Sequence, residues 1–472
     1  MAVLPKRVID VGETNDKVVH LRDFGDKPPV AHYICLSHRW QRSCPLTTTQ
    51  VNIESRKVRI ALNDLSATLR DAILLTRAFH IRYLWIDSLC IIQDSDTDWE
   101  VESARMGAYY SRSWLTVAAG LDHDPEMDET RFHQTSSILG PRYKPDTNAG
   151  FYRLRISEAN QVSSLYFNLQ DELKWDNRGS SYLFSRGWTL QEEALSPQFL
   201  SFQPQQTTLR IGKRVFHESG FTQTITDTSF LTTNGLSFKG WTRLVEDYSQ
   251  RHLARQRDKL PALSGIAQLY QEKHKDKYLA GLWLSHLLEH LCWCVPNGAI
   301  ESSRPSIYRA PTWSWASIDG KVTFDSFEIP PRQIKILKAI TMPAGKDPLG
   351  QVREGRITLE AQINKQRWKR DSDSKRKWYY ADPLLENCTS TGKQGALTIR
   401  SAPFSTATLL LDVQDSTEDE LDLWSLPIHD QFALALQAVD GGEHTFRRIG
   451  SICWRGKNDD GDQCKPAVIS II

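Results

Sequence analysis

The sequence predicts an α/β fold with a parallel sheet near the N terminus, followed by a helical segment and a β-rich C-terminal part. Three observations carry this. Between residues 31 and 120, apolar runs that read as strands alternate with segments of helical period, the pattern of a parallel sheet with crossover helices. Residues 241–295 then keep a helical pattern. Beyond Arg332 come the alternating segments ITLEAQI, ALTIR, TLLLDV, FALALQAV and RIGSICW, which read as strands. A chain of 472 residues exceeds the usual size of one core, so two or three domains are expected. The expected divisions are a lead-in strand or loop at 1–30, an α/β domain at 31–220 with an insertion at about 121–180, a helical middle at 221–298 and a β-rich region at 299–472.

The elements follow in order. AHYICLSHRW, residues 31–40, reads as a strand in which Tyr33, Cys35 and Ser37 alternate with Ile34, Leu36 and His38. Asp64 or Ser66 can cap the next helix, on which Leu69, Ala72, Ile73, Thr76 and Phe79 recur at helical spacing. That helix ends near His80, and a strand over 82–92 follows. A second helix is expected after Asp98, with Val101, Ala104 and Ala108 on one face, and then a third strand, WLTVAAG. The insertion has weak periodicity and one candidate hairpin, FYRLRIS with SSLYFNL. In SRGWTLQEEALSPQFLSF, residues 185–202, Trp188, Gln191, Ala194 and Leu195 lie at helical spacing and QFLSF reads as a strand. YRAPTWSWASIDGKVTF reads as a strand and turn, with Trp313 and Trp315 on one strand face.

Composition excludes several classes. A net charge of +1 gives no global signal for nucleic acid or an anionic membrane. The opening MAVLPKRVIDVGE lacks the apolar stretch of a secretory signal. The most apolar longer run, 278–295, carries His286, Glu289 and His290, and reads as a buried helix rather than a membrane span. Eight cysteines without framework spacing point to reduced thiols in the cytosol or nucleus, with a cytoplasmic location expected. The basic stretch 367–377 could serve as a nuclear signal or an anion patch, but Asp371 and Asp373 interrupt it and a solvated loop is the plainer reading. Cys292 and Cys294 have no second pair at zinc spacing, and HLLEH lacks the order of a zinc-protease motif, so no metal is expected. No GxGxxG follows a strand and no GxxxxGKS-type loop is present, which disfavours a Rossmann dehydrogenase or an NTPase.

Three ordered segments resemble the HET domain, the heterokaryon-incompatibility family of filamentous fungi: YICLSHRW; YLWIDSLCIIQDSDTDW with MGAYYSRSWLTVAA downstream; and RGWTLQEEALSPQFLSF. They cover about residues 31–202. RDKLPALSGIA, YLAGLW and YRAPTWSWASIDG are similar to the C-terminal extension of the same proteins. The chain departs from the family at Gln41, where Gly is usual, and looks like a stand-alone member. The resemblance implies a flavodoxin-like parallel sheet similar to the Toll/interleukin-receptor fold, and a part in non-self recognition and programmed cell death. It further implies self-association or cleavage of NAD at the nicotinamide bond, with NAD as substrate. Stand-alone members are also encoded near fungal secondary-metabolite pathways, which implies, alternatively, an enzyme acting on a small molecule.

The candidate residues sit where open α/β sheets bind ligands, at the carboxyl ends of strands. Ser37 and His38 end one strand; Asp87, Ser88, Cys90 and Gln93 end another. Cys90 as nucleophile, His38 as base and Asp87 as orienting group would make an acyl-transfer set, although unpaired cysteines are more often small buried hydrophobes. Glu192 could stabilise an oxocarbenium-like ribosyl centre. Arg186 could bind a phosphate, and Trp40 or Trp188 could stack on a nicotinamide or adenine ring, with Ser37, Gln93 and Gln191 completing the substrate-binding set. The plainer reading makes Arg186 and Glu192 a structural ion pair with Trp188 packed in the core. Three readings therefore stand at this point: incompatibility and cell-death signalling, a small-molecule enzyme built on Cys90, His38, Asp87 and Glu192, and a non-catalytic scaffold.

Overall fold

The apolar runs at 33–37, 83–86 and 115–119 are short strands buried on both faces, as parallel strands between helical layers must be. A computed structural model describes residues 1–40, 46–120, 138–139, 151–158, 161–168, 181–203, 206–225, 236–296, 302–324, 334–370, 379–381, 407–412, 420–439, 444–454 and 466–472, with backbone alone at 151–158, 161–168, 366, 369–370, 379–381, 407–408, 420 and 454. Gln41, the segment ALTIR and the charged end of the basic stretch lie outside these residues. The chain divides into two units, Met1–Gly235 with Arg251–Leu253, and Leu236–Gln250 with Ala254–Ile472.

The first unit is mixed α/β. Its elements are β1 (Arg7–Asp10), β2 (Val18–Asp23), β3 (Tyr33–Ser37), α1 (Ala67–Ala78), β4 (Tyr83–Ile86), α2 (Asp87–Cys90), α3 (Asp96–Arg112), β5 (Leu115–Ala119), α4 (Gly187–Leu195), β6 (Gln198–Phe202), β7 (Thr207–Ile211), β8 (Arg214–His217) and β9 (Thr222–Thr224). These strands join one sheet in the order β9-β8-β7-β6-β5-β3-β4-β1-β2, with the two-residue strand Ile60–Ala61 at its far edge. The central four, β6-β5-β3-β4, are parallel, with Cys35 opposite Trp85 on one side and Thr116 on the other. Antiparallel strands extend the sheet on both sides, so residues read as a lead-in supply β1 and β2. Phe151–Glu158 and Gln161–Asn168 pair as an antiparallel hairpin.

The connections place a reversal of strand order. From β3 the chain leaves through α1 to β4 on one side; from β5 it leaves through α4 to β6 on the other. The carboxyl ends of β3 and β5 therefore flank the point where strand order reverses, where open sheets take ligands.

Two local expectations are corrected. The strand expected over 82–92 stops at Ile86, because the Asp87 carboxylate accepts the Ser88 N–H at 2.7 Å and the backbone turns into α2. The helix expected after Asp98 begins at Asp96, with Ser95 accepting the Asp98 N–H. Its buried face is Glu102, Met106, Tyr109 and Tyr110, whereas Ala104 is exposed. The two tyrosines pack on Trp85, and that aromatic area outweighs what alanines could bury.

The second unit begins with α5 (Phe238–Ser249), capped by Ser237, and α6 (Pro261–His274), with proline in its first turn. The helix expected over 278–295 is instead a tight hairpin of Tyr278–Leu279 with Leu282–Trp283, a short helix Leu287–Leu291 and a strand Trp293–Cys294. Ala280 and Gly281, at φ 45° and 100°, make the turn. A Cβ at Gly281 would lie 2.6 Å from Trp315 Nε1, so only glycine permits this approach. The Gly281 carbonyl accepts both Trp241 Nε1 and Trp315 Nε1, at 2.8 and 3.1 Å. The strand expected around Trp313 and Trp315 is a turn and a 3-10 helix, Trp315–Ser317, capped by the Ser314 hydroxyl. Both indoles are fully buried in this tryptophan-rich core.

A nine-stranded sheet follows, with β10 (Lys335–Pro343) at one edge, paired antiparallel with β11 (Val352–Ala361). The later strands β12 (Phe432–Ala438) and β13 (Thr445–Trp454) pair with each other. Arg448 of β13 is fully buried. Its guanidinium holds Asp412 at 3.0 and 3.2 Å, donates to the Leu291 and Trp293 carbonyls, and lies 3.4 Å from the Trp293 ring centre. Among the described residues, no helix is long and apolar enough to cross a membrane. Nor, among them, do three His, Cys, Asp or Glu side chains gather as metal ligands would.

Candidate functional site

Ser37 is the last residue of β3, and its hydroxyl donates to the Glu192 carboxylate across 155 positions of chain. Glu192 is on α4, whose first turn is fixed by the Thr189 hydroxyl, 2.7 Å from the Arg186 carbonyl. Ser196 Oγ, just past the helix, lies 2.6 Å from both the Glu192 carbonyl and Thr116 Oγ1 of β5. Glu192 is thus tied to both strands that flank the reversal, by its carboxylate to β3 and by its backbone, through Ser196, to β5. Arg186 sets the other side: its Nη1 donates to the His38 carbonyl, just beyond β3. A parallel bridge to His252 holds the backbone of Arg186, with Gly187 N–H donating to His252 and His252 N–H to Ser185, each at 2.7 Å.

The end of β4 faces the same place. The Asp87 carboxylate accepts Trp40 Nε1 at 2.9 Å and lies 3.7 Å from His38 Nδ1. Gln93 Nε2 staples the following turn by donating to the Asp87 and Ile91 carbonyls. His38 is 7% exposed, and its Nδ1 makes no hydrogen bond among the described residues. Burial moves its pKa below the ordinary value against the pull of Asp87, and Arg186 adds to the lowering, so the ring is held neutral.

Glu192 is the electrostatic centre. Burial pushes its pKa from 4.5 to about 7. Arg186 and the Ser37 hydrogen bond oppose the rise, Asp87 adds to it, and Arg251 opposes it. A carboxyl near neutrality can ionise or hold a proton at working pH, the property required of acid–base and charge-stabilising groups.

The ten sequence candidates do not share one environment. Ser37, His38, Trp40, Asp87, Arg186 and Glu192 meet through the contacts above, and Gln93 braces them. Gln191 is buried beside Glu192 on α4, and Trp188 is half-buried at its start. Cys90 is fully buried; its sulfur accepts the Ile86 N–H at 3.5 Å, and burial pushes the thiol up to about 12. Arg7 donates to the Cys90 carbonyl at 2.7 Å and pairs with Asp98, so the Cys90 turn is anchored from β1. In the folded protein, Cys90 is expected to resist thiol reagents at pH 6–7 and to label after denaturation, read by mass spectrometry of labelled peptides. Fast labelling of the folded protein at pH 6 would restore the thiolate nucleophile.

Sequence spacing gave no sign of Arg251, 3.4 Å from Thr189 Oγ1, or of Tyr110, whose hydroxyl lies 3.5 Å from the Leu36 carbonyl. Tyr110 stands out only as a large aromatic on α3, and burial followed by the charge of Glu192 raises its pKa well above the ordinary value.

Residues 33–192 match a family model described as heterokaryon incompatibility protein (HET). The match runs from the first residue of β3 to Glu192. No curated protein and no solved structure matches the chain.

Proposed function

We propose that this protein, whose residues 33–192 match the heterokaryon-incompatibility (HET) family model, acts in an incompatibility or cell-death response by cleaving the nicotinamide–ribose bond of NAD. The observation that carries this reading is Glu192: one buried carboxyl, raised to about 7, at the strand-order reversal of a parallel sheet. The order of the parallel strands, with the first in the chain between the second and third, supports a flavodoxin-like core similar to that of Toll-type receptors.

The roles follow from the geometry. Ionised Glu192 faces the ribosyl carbon as positive charge develops there and orients the attacking water. Nicotinamide leaves with the electron pair of the broken C–N bond, the water oxygen bonds to the ribosyl carbon, and its second proton goes to solvent. Ser37 positions the carboxylate. Arg186 holds the His38 backbone and offers its remaining donors to a phosphate. Trp40, fixed through its N–H to Asp87, presents its ring for stacking. Cys90 has no part in this scheme.

The test is nicotinamide release from NAD by the purified chain over a wide range of protein concentration. Release is expected to rise with pH through about 7 as Glu192 ionises, and Glu192→Gln is expected to lower it by about 100-fold or more while the chain stays folded. A folded wild-type protein that releases no nicotinamide would exclude NAD cleavage. Release that survives the substitution would exclude Glu192.

A further inference from the structure

A groove of about 880 Å³ opens within the second unit, distant in sequence from the HET match and within the size range of small-molecule sites. Its lining is lopsided in charge. Arg304, Arg309, Lys338, Arg356 and Arg447 contribute to it, against a single acidic side chain, Glu354. Two of the five cations have an acidic partner, each shared with another cation: Arg304 lies 3.6 Å from Asp412, which also holds Arg448, and Arg309 lies 2.7 Å from Asp319, which also pairs with Lys259. Among the described residues, the other three have none. Arg447 grips only the neutral Gln437 side chain, at 2.6 and 3.0 Å. Lys338 and Arg356 make no ion pair among the described residues.

Sheet register makes this clustering unusual. Ile340 of β10 stands opposite Arg356 of β11, and Lys338 stands opposite Thr358. Neither cation thus has the opposite charge that cross-strand pairs favour, and the two are diagonal neighbours on one face. Arg309, 7% exposed, also carries a buried Nη2 without a hydrogen-bond partner among the described residues. Beside the cations lies apolar surface that water would otherwise cover: Ile307 is 80% exposed and Tyr308 53% exposed, and Ile340 and Met342 also line the groove. Surplus cations next to an open apolar wall suit a ligand with a charged head and an apolar body.

We propose that this groove binds a small amphipathic organic anion, with Lys338, Arg356 and Arg447 on a phosphate or carboxylate head and Ile307 and Tyr308 on an aromatic or aliphatic body. Calorimetric titration of the full chain with 1-naphthyl phosphate, 1-naphthoate and neutral 1-naphthol tests it. Both anions, or one of them, are expected to bind at least about tenfold more tightly than naphthol, and the stronger names the head group. Lys338, Arg356 and Arg447 are exposed, so Lys338→Glu, Arg356→Glu and Arg447→Glu should fold, as circular dichroism and thermal unfolding will verify. Each should weaken anion binding about tenfold or more without altering naphthol binding, and added salt should weaken only the anions. The proposal is overturned by equal affinity for naphthol, by anion binding indifferent to all three reversals, or by no heat from either anion at millimolar concentration. An acidic peptide or a single-stranded oligonucleotide that binds through the same residues tenfold more tightly than either naphthyl anion would overturn it in favour of a macromolecular partner.

Discussion

Glu192→Gln is expected to stabilise the protein at pH 8 by about 3 kcal/mol, and at pH 5 by less than about 1 kcal/mol. An ordinary glutamate ionises near 4.5 and Glu192 near 7. Between these values the unfolded chain has lost the proton and the folded chain keeps it. Stability contributed by this raised carboxyl is therefore intact below 4.5, falls as pH rises, and levels off above about 7. Glutamine occupies the same volume, stays neutral at every pH and can still accept the Ser37 hydroxyl, so it removes the cost of burying the charge. For a unit of this size the gain at pH 8 corresponds to about 6–12 °C in thermal midpoint. A gain that does not depend on pH would show that Glu192 ionises normally. A loss of stability would make the Ser37–Glu192 contact a structural pair and favour a scaffold. Stability gained together with activity lost is the signature of a residue kept for chemistry at the expense of the fold.

The largest loss of stability is expected at Arg448. Its guanidinium is fully buried against Asp412, two backbone carbonyls and the face of Trp293. Arg448→Ala leaves an ionised carboxylate and two carbonyls in the interior, and should cost about 3–5 kcal/mol. Arg304, 3.6 Å from Asp412, remains as a weaker partner and sets the result toward the lower figure. The double variant Arg448→Met with Asp412→Leu removes both charges, keeps apolar volume over Trp293 and should recover most of the loss in chemical denaturation. Equal losses for single and double variants would mean that the contacts to the Leu291 and Trp293 carbonyls, rather than the charge pair, hold this part of the sheet.

The parallel strands were legible because apolar runs buried on both faces leave a plain mark, and Ser66 was legible as one of two possible caps, the structure choosing it over Asp64 because its hydroxyl accepts the Leu69 N–H three residues on. The buried face of α3 was not, because Val101, Ala104 and Ala108 and the run Met106, Tyr109 and Tyr110 both satisfy helical spacing, and only packing on Trp85 chooses between them. The run at 278–295 misled for a related reason. Its apolar residues fill a core, but the turn at Ala280 and Gly281 and the indole N–H groups that share one carbonyl are tertiary facts. In the candidate site, residue types at strand ends were readable. Which residues touch was readable only in part: converging strand ends suggested His38 beside Asp87, whereas Ser37 meets Glu192 through a contact that no local spacing encodes.

The long reach of these contacts also dictates when the candidate site can exist during synthesis. The hydrogen bond between Ser37 and Glu192 joins positions 155 residues apart, and α4 receives its last backbone bonds from His252. A ribosome must therefore translate through all of α5, which belongs to the other unit, before the backbone at Arg186 is fully secured. Strands β3, β4 and β5 can assemble earlier on the emerging chain, since their pairings span far less sequence. A nascent or truncated product that stops short of residue 192 would hold strands β3, β4 and β5 without the Glu192 carboxylate, and under the proposed reading it would release no nicotinamide.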